Sequence, residues 1–265
     1  MLSVLTVNVG AASRDRAERI LAWLATRPEH VILLTETSAG AGTAHLLDAF
    51  ARAGWAVVNT PDVGDRGAAL VSRIALADEQ PSLSGITVAG RVATAWLDTQ
   101  PQVLVASVYI PSRDRSQDKV DRKQQFTASL LRAVQELPER AREHLVLGGD
   151  YNSISRTHEP RHPGFLAFEY ALLDALSDHG MVDAHDLLHP GAQPHSWIGR
   201  TGDGYRYDYL HVGSALRGTV TEAAYLHDTR EQSLTDHAAV TMTLQIKAAE
   251  LATRELGERD EIALF

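Results

Sequence analysis

A chain of 265 residues, 44% hydrophobic and 22% charged, has ordinary globular composition, which supplies a packed core and excludes a disordered chain. The absence of cysteine excludes disulfides, thiolate nucleophiles, zinc knuckles and iron–sulfur clusters, so any metal must sit on oxygen or imidazole. A formal charge of −9 disfavours a protein that coats DNA non-specifically, because such binding rests on phosphate neutralisation, but it leaves open a local cleft whose carboxylates hold a cation.

Val4 to Val9 and Val31 to Leu34 read as buried strands flanking an amphipathic helix that begins near Ser13 and carries Ala17, Ile20, Leu21 and Leu24 on one face. Further strands are expected at Trp55 to Asn59, Ala68 to Ser72, Val92 to Leu97, Val103 to Tyr109 and Leu145 to Leu147. A long helix is predicted from Asp118 to Leu137, with Val120, Phe126, Leu130, Leu131 and Val134 at helical spacing, and another over Phe165 to Ser177. Strands follow at His195 to Ile198, Tyr205 to Val212, Thr219 to Leu226 and Ala238 to Ile246. The last twenty residues, rich in Ala, Glu and Arg, read as a surface helix or a frayed tail. No repeat or linker argues for two domains, so residues 1–246 are expected to form one catalytic domain and 247–265 a C-terminal helix or tail. The first residues carry no basic leader, and no run approaches ~18 apolar residues. The expectation is a monomeric cytoplasmic protein that does not engage a membrane.

The clearest local signal is Gly148-Gly149-Asp150-Tyr151-Asn152, after the apolar run His144 to Leu147. A buried strand that ends in glycines and then presents an acid and an amide two residues apart puts both side chains on one side of an extended segment. That suits phosphate chemistry, one group accepting a proton or metal and the other donating to oxyanions. Alone, such a tetrapeptide is more often a turn with Asx hydrogen bonds. Ser233-Leu234-Thr235-Asp236-His237 precedes the last strand, and its adjacent acid and imidazole serve either a cation and a phosphate oxygen or merely the strand entry. In Tyr205-Arg206-Tyr207-Asp208-Tyr209-Leu210 an arginine and an acid alternate with aromatics, a pattern open to substrate contact and to a structural ion pair. Glu36, Asn8 and Tyr109 end three more strands, where each also has a plain reading as a cap or a half-buried core aromatic. All six signals lie at strand ends, and polar residues converging from several strand ends are how a site is built on a rigid scaffold.

The ordered series Asn8, Pro28 to Thr37 ending in Thr35-Glu36-Thr37, Gly67 to Arg73, Tyr109-Ile110-Pro111, Gly149-Asp150-Tyr151-Asn152, His195-Ser196-Trp197, Arg206-Tyr207-Asp208-Tyr209 and Thr235-Asp236-His237 resembles the endonuclease/exonuclease/phosphatase superfamily from about Leu2 to Leu244. It is most similar to the exonuclease III type of apurinic endonuclease. The resemblance implies an α/β (α+β) fold, a four-layered sandwich of two mixed β-sheets packed face to face with helices outside. It implies Glu36 as principal metal ligand with Asn8 and Asp236 nearby, and Asp150 orienting or deprotonating the attacking water. It also implies Asn152 and Tyr109 as phosphate hydrogen-bond partners, and His237, its ring fixed by Asp208, as donor to a phosphate oxygen. The pattern departs at Gly10, at Ser112 after Pro111, and at Thr35 and Ser38 around Glu36-Thr37, which alters the DNA-facing shell and retains the central chemistry.

Elementary chemistry supports these roles. Phosphodiester hydrolysis needs an in-line water, compensation of charge on the non-bridging oxygens and help for the departing alkoxide. A hard cation such as Mg2+ (or Mn2+) prefers carboxylate and water oxygens, and a carboxylate beside imidazole favours the protonated ring. Arg113, Arg115, Lys119, Arg122 and Lys123, then Arg156 and Arg161, fall on loops and a helix start beside the motifs, as a phosphate-tracking rim or as solvated charge. Arg206, Arg113, Arg115, Lys119 and Trp197 are the expected substrate contacts, Trp197 by stacking on a base or abasic gap. The expected function is a Mg2+-dependent phosphodiesterase that cuts nucleic acid, with DNA as the first candidate and damaged or abasic sites among its targets. The alternative is a phosphoesterase of the same fold acting on a small phosphorylated metabolite or lipid headgroup.

Overall fold

The strands carry apolar side chains in both phases, so each sheet has two faces to bury, and one layer of helices would cover only one of them. The computed structural model, which describes residues 1–60, 64–78 and 82–256, meets this demand with four layers. Numbered in chain order, a mixed sheet of six strands takes β1 (Leu2–Asn8), β2 (Val31–Thr37), β3 (Ala56–Asn59), β4 (Gly67–Ser72), β13 (Val220–Leu226) and β14 (Ala239–Leu244), in the order β13-β14-β1-β2-β4-β3. A mixed sheet of five takes β5 (Val92–Leu97), β7 (Val103–Tyr109), β8 (Leu145–Asp150), β9 (Val182–Asp183) and β12 (Asp208–Val212), in the order β5-β7-β8-β12-β9. The parallel neighbours are β1 with β2 and β7 with β8. Two short pairs are separate from both sheets: β6 (Thr99–Gln100) with β15 (Lys247–Ala248), and β10 (Trp197–Ile198) with β11 (Gly204–Tyr205).

Alternation assigns each side chain its layer. Leu2, Val4, Val31 and Leu33 meet Val105, Val146, Leu210 and Val212 in a dry interface between the sheets. The other phase of the first sheet, including Leu5, Ile32 and Leu34, packs on α1 (Arg14–Ala25) and α2 (Ala41–Arg52). The other phase of the second, including Leu104, Ala106 and Leu147, packs on α3 (Gln117–Glu136) and α5 (Ala167–Asp178) through Phe126, Leu130 and Leu172. Short helices α4 (Glu139–Glu143), α6 (Ala184–Leu188) and α7 (Asp228–Glu231) fill connections. Ser13 caps α1 as its position suggests, its side chain accepting from the Arg16 N–H.

Three elements depart from the pattern-based expectation. The helix α2 has an apolar stripe of Leu46, Ala49 and Phe50, but it starts after Gly40 with no side-chain cap to announce it. The strand expected over Tyr205 to Val212 breaks at Arg206 and Tyr207. There the Arg206 N–H donates to His158 Nε2 at 3.2 Å and the Tyr207 carbonyl accepts from the Tyr151 N–H at 2.8 Å. The strand expected to end at Leu147 runs on to Asp150, because Gly148 and Gly149 let it pass where no side chain fits. A Cβ on Gly148 would lie 2.4 Å from Leu210 Cδ2, and one on Gly149, at φ +143°, would lie 1.9 Å from the Val108 carbonyl oxygen.

Beyond β14 the chain runs back along the body, pairing β15 with β6, bridging Glu250 to Ile74 and donating the Leu251 N–H to the Arg73 carbonyl at 2.6 Å. The remainder of the expected helix or tail, residues 257–265, lies outside the described residues. Among the described residues no helix is long and apolar enough to cross a membrane. Gly149→Ala is expected to lower the unfolding free energy by about 2–3 kcal/mol, through overlap with the neighbouring strand and an unfavourable backbone angle. Urea denaturation measures this as a reduced midpoint at constant slope, and a wild-type midpoint would contradict the contact.

Candidate active site

Sheet parity assembles the site. Tyr109, Asp150 and Asp208 are cross-strand partners on β7, β8 and β12, in the phase that faces the first sheet. Asn8 holds the matching phase on β1, and its Nδ2 donates to Asp150 Oδ2 at 3.0 Å and to Glu36 Oε1 at 3.1 Å. By parity Glu36 belongs with Ile32 and Leu34, which face the helices. A bulge between Thr35 and Thr37, with Glu36 at φ +54°, turns its carboxylate to the cleft instead. Asn152, at φ +47°, donates its main-chain N–H to Asp150 Oδ1 at 2.9 Å, and its Nδ2 to Asp150 Oδ2 at 3.2 Å and the Ile110 carbonyl at 3.0 Å.

His237 Nδ1 lies 2.7 Å from Asp208 Oδ2, with both side chains buried. Burial opposes charge on the ring, but Asp208, with Asp150 and Asp236 behind it, outweighs burial and raises the His237 pKa to about 10. The ring is therefore an imidazolium at neutral pH, with Nδ1–H donated to Asp208 and Nε2–H left for the cleft. Burial, then Asp208 and Glu36, push Asp150 up to about 8 against the opposing pull of His237. Burial, then Glu36 and Asp150, hold the Tyr109 hydroxyl protonated well above its ordinary range.

Asp150, Asp208 and His237 each bring one ligand atom within 4.8 Å of the others, close enough to share a cation. Without a cation, His237 stands in that set as the protonated partner of Asp208. The acids still call for positive charge. Among the described residues Asp208 Oδ1 is buried with no hydrogen-bond partner, and Glu36 and Asp236 open on the same cleft. This acidic oxygen set fits a hard divalent cation. Asn8 Oδ1 accepts from the Gly10 N–H at 2.8 Å and its Nδ2 faces the carboxylates, so that it holds Glu36 and Asp150 together.

The cleft encloses about 550 Å³ and is walled by His162, Phe165, Trp197 and Tyr207. Trp197 stands 5.7 Å from the Tyr207 ring and donates its Nε1–H to Asp236 Oδ2 at 3.0 Å. The expected basic rim is mostly engaged internally. Arg113 binds the buried Glu169 and, at 2.7 Å, the Gly164 carbonyl; Lys123 is buried 2.6 Å from Glu169. Lys119 pairs with Asp114 at 2.8 Å, and Arg122 pairs with Asp65. Of these five, Arg115 alone is exposed without an ion pair among the described residues.

Arg206, an expected substrate contact, lies outside this cleft. It turns from the cleft into a second pocket, with Nη2 2.6 Å from Asp183 Oδ2 and Nε 2.5 Å from the Tyr225 hydroxyl, because a buried guanidinium needs a carboxylate and acceptors at hand. Two arginines outside every motif do approach the site. Arg66 Nε is 3.6 Å from Glu36, and buried Arg91 lies over the Tyr109 ring at 4.4 Å. No spacing marks either in the sequence.

Over residues 5–237 the chain matches the Endonuclease/Exonuclease/phosphatase family, and it belongs to that family. An exodeoxyribonuclease of Bacillus subtilis (strain 168) is 26% identical over 171 residues, 59% of this chain and 65% of that protein. The match therefore spans less than two thirds of that curated relative. Among solved structures, the 3′ phosphatase NExo from Neisseria bound to product DNA hairpin aligns with a TM-score of 0.78 at 23% identity, over 92% of this chain and 100% of that one. An AP endonuclease from Archaeoglobus fulgidus also aligns at 0.78, with 20% identity and the same coverage. At these identities the likeness is one of fold.

The His237 ring is expected to titrate near pH 10 in metal-free protein, from the model-peptide value of 6.5. Because the folded pKa is the higher one, the pair's contribution to stability is complete below pH 6.5 and is lost as pH rises through about 10. NMR of the ring protons in chelator checks this. In Asp208→Asn the midpoint should fall, since burial then acts without its principal opponent and only Asp150 and Asp236 still raise the ring. An unchanged midpoint would contradict the assignment.

Proposed function

We propose that the protein is a Mg2+- or Mn2+-dependent phosphodiesterase that hydrolyses DNA with an activated water. One observation carries the reading: the buried Asp150 carboxyl lies beside the imidazolium His237, fixed by Asp208 at 2.7 Å, at a cleft that Glu36, Asp236 and His237 line. A cation held by Glu36 and Asp236 would neutralise the phosphate oxygens and the departing alkoxide. Asp150, its carboxyl pushed up to about 8 by burial and its acidic neighbours, takes a proton from the attacking water in its ionised form, which a cation in the cleft would favour. His237 Nε2–H and the Tyr109 hydroxyl donate to non-bridging oxygens, where negative charge accumulates as the water attacks. Asn152 orients Asp150, and Trp197, Tyr207 and Phe165 offer flat apolar surface to a sugar or base.

The DNA substrate draws support from the names of the relatives, an exodeoxyribonuclease, an AP endonuclease and a phosphatase bound to a DNA hairpin. Purified protein offered abasic duplex, intact duplex, single strand, RNA and a chromogenic phosphodiester tests it. DNA should be cut with Mg2+ or Mn2+ and spared in excess chelator. Full turnover in chelator would sink the mechanism, and cleavage of the chromogenic ester alone would move the substrate to a small phosphoester.

Asp150→Asn and His237→Ala should each lower turnover by at least ~100-fold in folded protein, the scale for losing a general base or a transition-state donor. Near-normal turnover in either would remove its role.

With most neighbouring cations paired to carboxylates, duplex binding should depend weakly on salt. Arg115→Ala should flatten the log–log salt slope by about 0.9, the loss of one phosphate contact, whereas Lys119→Ala, already paired with Asp114, should leave it unchanged. Binding isotherms at several salt concentrations decide this. Equal effects of the two variants would restore the phosphate-tracking rim.

A further inference from the structure

The buried cations beside the cleft do more than satisfy one another. Lys123, in the first half of α3, is 1% exposed, and its ammonium reaches three groups. It donates to the Asn152 main-chain carbonyl at 2.6 Å and to Glu169 Oε1 at 2.6 Å, and it stands 4.9 Å from the Phe165 ring centroid. Glu169 is fully buried and gathers the adjoining segments, its Oε2 accepting from the Leu166 N–H at 2.8 Å and from Arg113 Nε at 3.0 Å. The segments after β7 and before α5 thus meet at one carboxylate, and the segment after β8 joins them through Lys123.

Burying a lysine costs the hydration of its charge, so this position needs tight compensation, and a neutral side chain of similar length would fill the space at lower cost. Its bond to Asn152 falls on a residue at φ +47°, in the left-handed region that asparagine enters more readily than other side-chain-bearing residues but does not keep without contacts that select it. That conformation lets the main-chain N–H and the carboxamide of Asn152 both reach Asp150.

We propose that Lys123 is a positioning residue for the reaction. Held by Glu169, it pins the Asn152 carbonyl, fixes the left-handed turn and so keeps the Asn152 donors on Asp150. The sequence marks it only as one cation of a basic stretch. Its catalytic effect rests on the function proposed above; its structural effect does not.

Lys123→Met, which keeps length and apolar bulk, separates the two. Hydrogen exchange of the Asn152 side-chain amide, assigned by its loss in Asn152→Ala, should accelerate at least tenfold in Lys123→Met without substrate. In parallel, kcat on a chromogenic phosphodiester with Mn2+ should fall about tenfold with KM within twofold. On an Asn152→Ala background the Lys123→Met change should lower kcat by less than twofold, because the group it positions is gone. A merely stabilising lysine would lower the melting temperature and reduce kcat by the same factor on both backgrounds, and that result overturns the proposal, as does unchanged amide exchange. If Lys123→Met does not fold, Lys123→Arg, which keeps the charge in the cluster, takes its place. It should hold the melting temperature and lose about threefold in kcat on wild type and none on Asn152→Ala; equal losses on both would again overturn the clamp. A wild type inactive on every phosphodiester would refute the function while amide exchange still decided the clamp.

Discussion

The hydrogen bond from Asn8 to Asp150 joins residues 142 positions apart and crosses the seam between the two sheets. It forms because β1 and β8 both expose, in their last residues, the phase that faces the opposite sheet. Val4 and Val146 bury that phase lower down, and Gly148, where a Cβ would strike Leu33 and Leu210, lets the sheets approach. A slip of one residue in either strand would send its polar terminus to the helical side. The dry interface and the site are therefore one construction, apolar through its depth and acidic at its rim.

Placing acids at that rim creates an electrostatic problem that the chain answers in two ways. Asp208 is opposed by an imidazolium, and Asp150 by amide donors from Asn8 and Asn152. The residual negative charge, including the unpartnered Asp208 Oδ1, leaves room for a cation. Neighbouring arginines and lysines are drawn into pairs with Glu169, Asp65 and Asp114. Each pair organises a loop, and each removes a charge from the face that a nucleic acid would meet. The arrangement favours a precisely shaped pocket over a long electrostatic footprint.

Much of this was legible along the chain. Period-two apolar runs located most of the strands, and the stripe Ala17, Ile20, Leu21 and Leu24 located the first helix, because burial of one face is written directly into residue order. Asn8, Glu36, Asp150, Asn152, Asp208 and His237 stood out because polar residues at the ends of buried strands have no reason in core packing.

Which of those polar groups touch, and through which atom, was a tertiary decision. Glu36 reaches the cleft only because a bulge reverses its parity, and Asn8 turns a donor to the acids because Gly10 claims its oxygen. Arg206 leaves the cleft for Asp183, and Lys123 sinks to Glu169, since a buried charge goes to the nearest counter-charge in space, which residue order does not reveal. Sequence by itself marked most strands and the first and third helices, through the local periodicity of burial, and the layered fold through its resemblance to a family. Only the tertiary structure decided the partners of each charge, because those depend on distances between segments far apart in the chain.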